Sequence, residues 1–229
     1  VLINLHGGGF VGCFTECGGL ESVPMAALGG FRVVSVDYRL APAAKAPEAS
    51  EDVAAVYREV LKHTQPGSVG IFGCSAGGSL TLQSLSYFQQ QKLPRPAAAG
   101  VYCAGSSFGG DSAILGGMLG DGDPPVAPRA ASVPTTGYFR GVPLDDPVAY
   151  PGRSPKVLAQ FPPTLVIVGT RDFALSGAVS LHSQLVANGV DARLHVWEGG
   201  RHAFFYDSRM PESREAYRVM TKFFADRLR

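Results

Sequence analysis

Short apolar runs alternate with helix-like segments along most of this chain, and this alternation limits the fold more than any other feature. The runs have the length of buried strands and lie at Val1–Leu5, Phe31–Val36, Val69–Phe72, Ala98–Tyr102, Thr164–Val168 and Ala192–Trp197. Apolar residues recur at helical spacing after Pro47, from about Ala76 to Gln90, near Ser176–Asn188 and near Glu212–Leu228. Strands that alternate with helices are typical of a mostly parallel sheet with helices on both faces. The pattern predicts an α/β fold, and 229 residues suit a single domain of this kind.

One long segment breaks this alternation. Residues 106–163 are rich in Gly, Pro and Asp and have neither helical nor strand periodicity. Compact domains seldom contain so long an irregular segment unless it has a function, so we expect an insertion or cap that covers the functional site. The chain also starts inside an apolar run, at Val1, whereas domain ends usually lie in exposed segments. We therefore expect that further N-terminal sequence belongs to the protein.

Charge and cysteine content exclude several classes of partner. Lys and Arg total 20 and Asp and Glu total 19, which gives a net charge of +1, and this argues against binding to nucleic acid or to an anionic membrane. No apolar run reaches the roughly 18 residues that a membrane span requires. The four cysteines, Cys13, Cys17, Cys74 and Cys103, match no zinc-binding spacing. We expect reduced thiols in a cytoplasmic protein, with Cys13 and Cys17 the pair that would form any exception.

The sequence Gly73-Cys74-Ser75-Ala76-Gly77 gives the strongest indication of chemistry. It matches G-x-S-x-G and lies between an apolar run and a helical segment. In that setting the chain turns sharply and exposes the serine hydroxyl, while the glycines let strand and helix approach and the helix N-terminus favours negative charge. The pentapeptide alone is weak, because a chain with 29 glycines can match it by chance. Its position between strand and helix favours Ser75 as a nucleophile.

A second glycine motif, His6-Gly7-Gly8-Gly9-Phe10, directly follows the first apolar run. Glycines leave backbone N–H groups accessible to a carbonyl oxygen, as an oxyanion hole requires. A flexible turn or a phosphate loop is the alternative, but the phosphate motifs need a Lys-Ser/Thr pair or a G-x-G-x-x-G spacing that is missing here. If the Phe31–Val36 run lies on one side of the first run and Val69–Phe72 on the other, a crevice forms between the glycine loop and Ser75. The N–H of Ala76 would then complete the oxyanion hole.

A nucleophilic serine needs a base and an acid that orients it, and both follow later strands. Among the histidines, only His202 lies in a loop just after a predicted strand, and Asp172 occupies the same position after the preceding one. The chain order Ser75, Asp172, His202 is the order that this fold requires. Asp145 and Asp146 compete for the role of the acid, but no strand precedes them, so we expect them to cap or hydrogen-bond locally.

These motifs, together with Asp37-Tyr38-Arg39-Leu40-Ala41-Pro42 and Gly169-Thr170-Arg171-Asp172, resemble in order those of the hormone-sensitive-lipase-like (type IV) bacterial esterases. The resemblance implies an α/β-hydrolase fold, hydrolysis of short- to medium-chain acyl esters, and no metal or organic cofactor. It also implies that Gly8, Gly9 and Ala76 donate to the oxyanion and that Asp37 and Arg39 support the site. The chain departs from its relatives in having Cys74 where many carry an acid before the serine.

The resemblance also bears on partners and substrates. Relatives carry a cap and two strands ahead of the HGGG motif, so Phe31–Val36 is expected to be an exposed edge strand that favours self-association, for example as a homodimer. The expected partner is a small-molecule ester, and the expected apolar pocket consists of Phe10, Phe108, Phe173 and Phe204. Two alternatives remain open at this stage. One is a non-catalytic ligand-binding protein on the same fold, which the presence of His202 disfavours, and the other is an amide or formamide hydrolase.

Overall fold

The parallel sheet predicted from the sequence is present and has six strands. In this computed structural model, which describes residues 1–106, 110–112 and 137–229, they are β1 (Leu2–Leu5), β2 (Val33–Val36), β3 (Gly70–Cys74), β4 (Ala98–Tyr102), β5 (Thr164–Gly169) and β6 (Ala192–Trp197). Every neighbouring pair is parallel, in the order β2-β1-β3-β4-β5-β6. Because the chain passes from β1 to β2 and then crosses back to β3, the direction of sheet growth reverses beside β1. The expected crevice between the glycine loop and Ser75 is at this reversal.

Helices cover both faces of the sheet. The helices of the described residues are α1 (Phe14–Gly29), α2 (Glu48–Leu61), α3 (Ala76–Gln90), α4 (Pro155–Leu158), α5 (Leu175–Ala187) and α6 (Pro211–Ala225). Short 3₁₀ turns lie at Pro66–Ser68, Gly137–Phe139, Pro151–Arg153 and Phe204–Tyr206. The four helices predicted from periodicity correspond to α2, α3, α5 and α6. The sequence did not predict α1, because its interior contains Gly18, Gly19 and Pro24, all poor helix formers.

Alternation along the strands divides the core into two layers. Ile3 and Leu5 of β1 face the layer that includes Val53 of α2 and Leu80 of α3. Leu2 faces the opposite layer, which α1 and α6 cover. Since successive side chains on a strand point to opposite faces, Asn4 points the same way as Leu2, toward α1. A fully buried amide on this strand therefore faces a helix, where it must find a hydrogen-bonding partner.

Part of the 106–163 segment lies within the described residues and packs on α3. Gln83 and Ser86 of α3 donate hydrogen bonds to the carbonyls of Ala149 and Pro147, at 3.2 and 2.7 Å. Tyr138 stacks on Phe10 with 4.0 Å between ring centroids. This portion is thus joined to the domain core. Its expected role as a cap remains a prediction.

Three further predictions concern the edge of the sheet, the thiols and the membrane. Strand β2 is an edge strand, as expected, and self-association there remains a prediction. Cys13 and Cys17, the pair expected to form any exception to reduced thiols, form a disulfide, while Cys74 and Cys103 are free and buried. Among the described residues, no helix has the length and apolar character that a bilayer crossing demands.

Candidate active site

Ser75 lies at the sharp turn between β3 and α3. Its φ of 57° and ψ of −120° are unusual for a residue with a side chain. Such strain persists only where the surroundings enforce it, and here the Ser75 N–H donates to the carbonyl of Tyr102 at 2.8 Å. Glycine is required on both sides, because a Cβ on Gly73 or on Gly77 would lie 2.3 or 1.7 Å from the Leu5 carbonyl oxygen. The strand–turn–helix arrangement predicted around Ser75 is therefore present in the structure.

His202 and Asp172 meet Ser75 in a continuous row of hydrogen bonds. His202 Nε2 lies 2.9 Å from Ser75 Oγ, and His202 Nδ1 lies 2.8 Å from Asp172 Oδ1. The carboxylate of Asp172 is fully buried, whereas a quarter of the His202 side chain is exposed. Asp172 Oδ1 also accepts the Ala174 N–H at 2.8 Å, which fixes the carboxylate within its own turn. His202 is thus within hydrogen-bonding distance of both residues that were expected to act with it.

The loops that carry Asp172 and His202 are pinned to each other. The Arg171 N–H donates to the Gly200 carbonyl at 3.0 Å, and the Gly199 N–H donates to Thr170 Oγ1 at 2.8 Å. A Cβ on Gly169 would lie 1.9 Å from the Gly200 carbonyl oxygen, so the close approach requires glycine. The distance between acid and histidine is therefore set by backbone contacts as well as by the side chains.

The competing acid, Asp146, has a local role. Its Oδ1 accepts the N–H groups of Val148 and Ala149 at 2.8 and 3.1 Å, as in an Asx turn. Asp145 is exposed. The expectation that these carboxylates hydrogen-bond locally is confirmed for Asp146.

The glycine motif forms a tight loop beside Ser75. Gly8 and Gly9 have φ values of 109° and 63°, and a Cβ on Gly8 would lie 2.2 Å from the Gly12 carbonyl oxygen. Within the described residues, the N–H groups of Gly8 and Gly9 donate to no acceptor. Ala76 is the first residue of α3, so its N–H has no acceptor within the helix. These are the donors that the sequence proposed for an oxyanion.

The predicted pocket phenylalanines occupy different environments. Phe173 is 38% exposed and stacks on the His202 imidazole at 4.3 Å between centroids. Phe10 and Phe204 are buried in the core, at 4% and 6% exposure. Phe108 lies outside the described residues. Of the three described rings, Phe173 is therefore the one that presents exposed surface beside Ser75 and His202.

The family motif after β2 supports the glycine loop through its tyrosine. Buried Tyr38 donates to the His6 carbonyl at 2.6 Å and stacks on the His6 ring at 4.2 Å. Arg39 instead pairs with Asp52 and Glu51 of α2, both at 2.9 Å, on the protein surface. Asp37 is exposed. The resemblance assigned the support of the site to Asp37 and Arg39, but the bond to the glycine loop comes from Tyr38, which lies between them.

Sequence reasoning missed a buried acid beneath the glycine loop. Glu21 of α1 is 1% exposed and contacts Asn4, the Gly7 N–H and Tyr206. The signal was available in part, because Glu21 lies four residues after buried Cys17 and four before buried Met25, on the inner face of α1. Without a predicted helix there, that spacing had no meaning.

One cluster beside Ser75 has the composition of a metal site. Cys103, Asp172 and His202 offer ligand atoms that all lie within 4.8 Å of one another. Each of them is already engaged, since His202 bonds Asp172 and Cys103 Sγ accepts the Ala203 N–H at 3.3 Å. These bonds hold the histidine loop against the end of β4.

The chain resembles known hydrolases over its whole length. Residues 2–206 match the family described as alpha/beta hydrolase fold. An esterase from the bacterial hormone-sensitive lipase family superposes with a TM-score of 0.88 at 30% identity, over 100% of this chain and 76% of that chain. Esterase E25 gives a TM-score of 0.86 at 33% identity, over 100% of this chain and 70% of that chain.

A curated relative points the same way. An acetyl-hydrolase of Streptomyces hygroscopicus is 28% identical over 233 residues, which cover 97% of this chain and 74% of the relative. The chain is thus shorter than the proteins that it matches. Fold, motif order and similarity agree, and the chain belongs to the α/β-hydrolase superfamily and, within it, to the hormone-sensitive-lipase family of bacterial esterases.

Proposed function

We propose that this chain hydrolyses carboxylic esters through an acyl-enzyme on Ser75. The observation that supports this most is the row of hydrogen bonds from Asp172 through His202 to Ser75 Oγ. A nucleophile, a base within reach of its proton and a buried acid that orients the base form the arrangement used for acyl transfer. The names of the relatives, esterases and an acetyl-hydrolase, favour esters with short acyl groups.

Each step follows from the positions of these groups. His202 Nε2 takes the proton from Ser75 Oγ as that oxygen bonds to the ester carbonyl carbon. The N–H groups of Gly8, Gly9 and Ala76 stabilise the negative oxygen of the tetrahedral intermediate. The carbon–oxygen bond to the alcohol then breaks, and the alcohol leaves with the proton from His202. Water attacks acyl-Ser75 by the same route and releases the acid, which restores the serine.

Asp172 makes this cycle efficient by holding His202. Its carboxylate keeps the proton on Nδ1, so that Nε2 faces Ser75 as an acceptor, and it stabilises the imidazolium that forms in each half of the reaction. Because Asp172 is buried, this interaction is weakly screened by solvent.

The test combines turnover with chemical labelling. The chain should hydrolyse p-nitrophenyl acetate and butyrate faster than decanoate, and an organophosphate should add one phosphoryl group to Ser75. Ser75→Ala should lower kcat by about 10⁴-fold or more and abolish labelling. Ser208→Ala, at an exposed serine, is the matched control and should behave as the unaltered chain.

Four outcomes would overturn the proposal. Labelling on another residue, or an active Ser75→Ala variant, would remove Ser75 from the mechanism. Faster turnover of the matched p-nitroanilide than of the ester would move the substrate class from esters to amides. Ligand binding without any turnover would favour a non-catalytic protein on this fold.

A further inference from the structure

A buried carboxylate joins the loops around the proposed oxyanion hole. Glu21 accepts the Gly7 N–H on Oε1 at 2.9 Å and the Tyr206 hydroxyl on the same oxygen at 2.5 Å. Its other oxygen, Oε2, accepts the Asn4 side-chain amide at 2.7 Å. A buried charge of this kind is tolerated only when donors surround it. Three donors from three separate segments converge on this one side chain.

The bond to Gly7 sets the direction of the glycine loop. With its N–H turned inward to Glu21, the Gly7 peptide is fixed next to the glycines that are proposed to bind the oxyanion. Space around Gly7 is tight, since a Cβ there would lie 3.3 Å from the Cys74 carbonyl oxygen and 3.6 Å from Ser75 Cβ. A rotation of the Gly7 peptide would therefore displace the neighbouring N–H groups relative to Ser75.

The bond to Tyr206 reaches the histidine loop. Tyr206 lies on the 3₁₀ turn Phe204–Tyr206, four residues after His202. Its hydroxyl is also close to the thiol of Cys74, the residue before Ser75. Through its partners, Glu21 thus contacts the segments that carry the oxyanion donors, the nucleophile and the base.

We propose that Glu21 is a positioning residue, whose carboxylate holds the oxyanion loop and the histidine loop in their active arrangement and must be ionised to do so. This inference rests on the proposed function, because it assumes that Ser75, His202 and the Gly8–Gly9 amides are the reacting groups. Glu21 itself touches none of the reacting atoms.

The ionised form can accept hydrogen bonds from all of its partners at once. The Gly7 N–H and the Asn4 amide N–H only donate, whereas the Tyr206 hydroxyl would have to turn and accept from a protonated carboxyl, giving up the bond that it donates. Burial raises the pKa of Glu21 to about 7, against the opposing effect of the hydrogen bonds from Tyr206, from Asn4 and from the backbone of Gly7 and Cys74. Both forms are therefore populated near neutral pH.

Glu21 is the group whose charge changes in this neighbourhood. Burial raises the pKa of every phenol and thiol that faces it, namely Tyr38, Tyr102, Tyr206, Tyr217 and Cys74. Burial lowers the pKa of His6, at the start of the glycine loop. Near pH 7 these groups are neutral, so a change of charge beneath the loop is a change at Glu21.

The experiment compares pH profiles of kcat for the unaltered chain and Glu21→Gln, which has the same shape but carries no charge. If Glu21 must be ionised for catalysis, the acid limb of log kcat is steeper by one unit of slope in the unaltered chain than in the variant. We expect kcat to fall about 10- to 100-fold at pH 8, with KM changed less than about threefold, because oxyanion contacts act mainly in the transition state. Glu16→Gln, at an exposed site on the same helix, is the matched control.

Two more variants separate positioning from plain stability. Glu21→Asp should restore the steeper acid limb and part of kcat. Tyr206→Phe removes the hydrogen bond that lowers the pKa of Glu21 most, so the upper step of the profile should move to higher pH. If Glu21→Gln does not fold, the Tyr206→Phe profile decides the question.

Each result has one meaning. A Glu21→Gln variant with unchanged kcat and an unchanged acid limb, but a lower Tm, would reduce Glu21 to a structural residue and overturn the inference, as would an unshifted Tyr206→Phe profile. Ser75→Ala, measured in parallel, keeps the failures apart. If that variant is inactive while Glu21→Gln is normal, only the inference about Glu21 fails. If Ser75→Ala is active, the proposed function fails first.

Discussion

The two ends of the sheet differ in what they offer a ligand. At the end where the strands begin, a cavity of about 440 Å³ is bordered by Leu85, Phe88, Lys92, Arg95, Gln160 and Pro162. At the end where the strands finish, Ser75, Asp172 and His202 converge, and we call this the strand-end site. The 440 Å³ cavity and the convergent chemistry are thus at opposite ends of the sheet.

Residues that have a side chain and a positive φ are more frequent at the end where the strands finish. Phe10, Ser75, Cys103 and Ala203 lie there, in loops that follow strands, while Lys92 at the 440 Å³ cavity is a further case, with a φ of 53°. A positive φ is costly for residues with side chains, and it is maintained where the local contacts demand one particular conformation. Polar groups around the 440 Å³ cavity make ordinary structural bonds instead, such as that of Arg95 to the Phe161 carbonyl at 3.3 Å. The convergence of a serine, a histidine and a buried acid marks the candidate site.

The largest effect expected at the strand-end site, beyond that of Ser75→Ala, comes from Asp172→Asn. The asparagine amide would favour the wrong histidine tautomer and could not stabilise the imidazolium, so kcat/KM should fall by up to about 10⁴-fold. Folding should be retained, because the change is isosteric. Steady-state kinetics with p-nitrophenyl acetate give the answer.

Asp146→Asn is the matched control for that variant. Asp146 accepts backbone N–H groups in a turn much as Asp172 does, yet it has no bond to a histidine. Its loss should leave kcat/KM nearly unchanged. A severe defect in Asp146→Asn together with a mild one in Asp172→Asn would show that the acid has been assigned to the wrong loop.

The strand-end site was largely accessible from sequence because its parts follow local rules. Apolar runs located the strands, and G-x-S-x-G placed Ser75 between β3 and α3. Asp172 and His202 could be chosen because both follow predicted strands. Each inference needed only a few consecutive residues and the general rule that ligands bind at the carboxyl ends of parallel strands.

The layer beneath the site could not be predicted in this way. Helix α1 buries Cys17, Gly18, Glu21 and Met25, a face with little apolar character, so periodicity gave no signal. Asn4 and Tyr206 lie 17 and 185 residues from Glu21 along the chain, and only the tertiary fold reveals that they meet it. A charged residue buried by packing breaks the local pattern, and such exceptions tend to accompany function.

An effect of intermediate size is expected in the way that the free energy of unfolding changes with pH, and Glu21 is its source. Its pKa is raised from 4.5 to about 7 in the folded state, so between these values the folded protein binds more protons than the unfolded chain. The free energy of unfolding therefore falls as pH rises from 4.5 to about 7 and is then constant. Glu21→Gln removes this dependence, so its stability relative to the unaltered chain should improve over that range by up to about 3 kcal/mol.

Urea unfolding at pH 4, 5, 6, 7 and 8 measures this difference. Glu16→Gln, the exposed match on the same helix, should show no such trend. A constant difference between Glu21→Gln and the unaltered chain across the series would mean that the carboxyl does not titrate in this range. A variant that gains stability at pH 8 yet loses kcat would instead show a site that favours activity over stability.

The smallest effect is expected at the 440 Å³ cavity where the strands begin, which we call the strand-start cavity. It tests whether this cavity takes part in substrate binding. Ala159→Trp places a large ring in the wall of the 440 Å³ cavity. The residues of this wall precede β5, whereas Asp172 follows it, and a strand of six residues separates the two ends by about 20 Å. Changes so far apart act independently, so kcat/KM for acetate, butyrate and decanoate esters should stay within about twofold. Phe173→Trp enlarges the ring that stacks on His202, and there the relative rates for the three esters should change. If Ala159→Trp altered the chain-length preference and Phe173→Trp did not, the acyl chain would bind at the strand-start end, and the assignment of the two ends would have to be reversed.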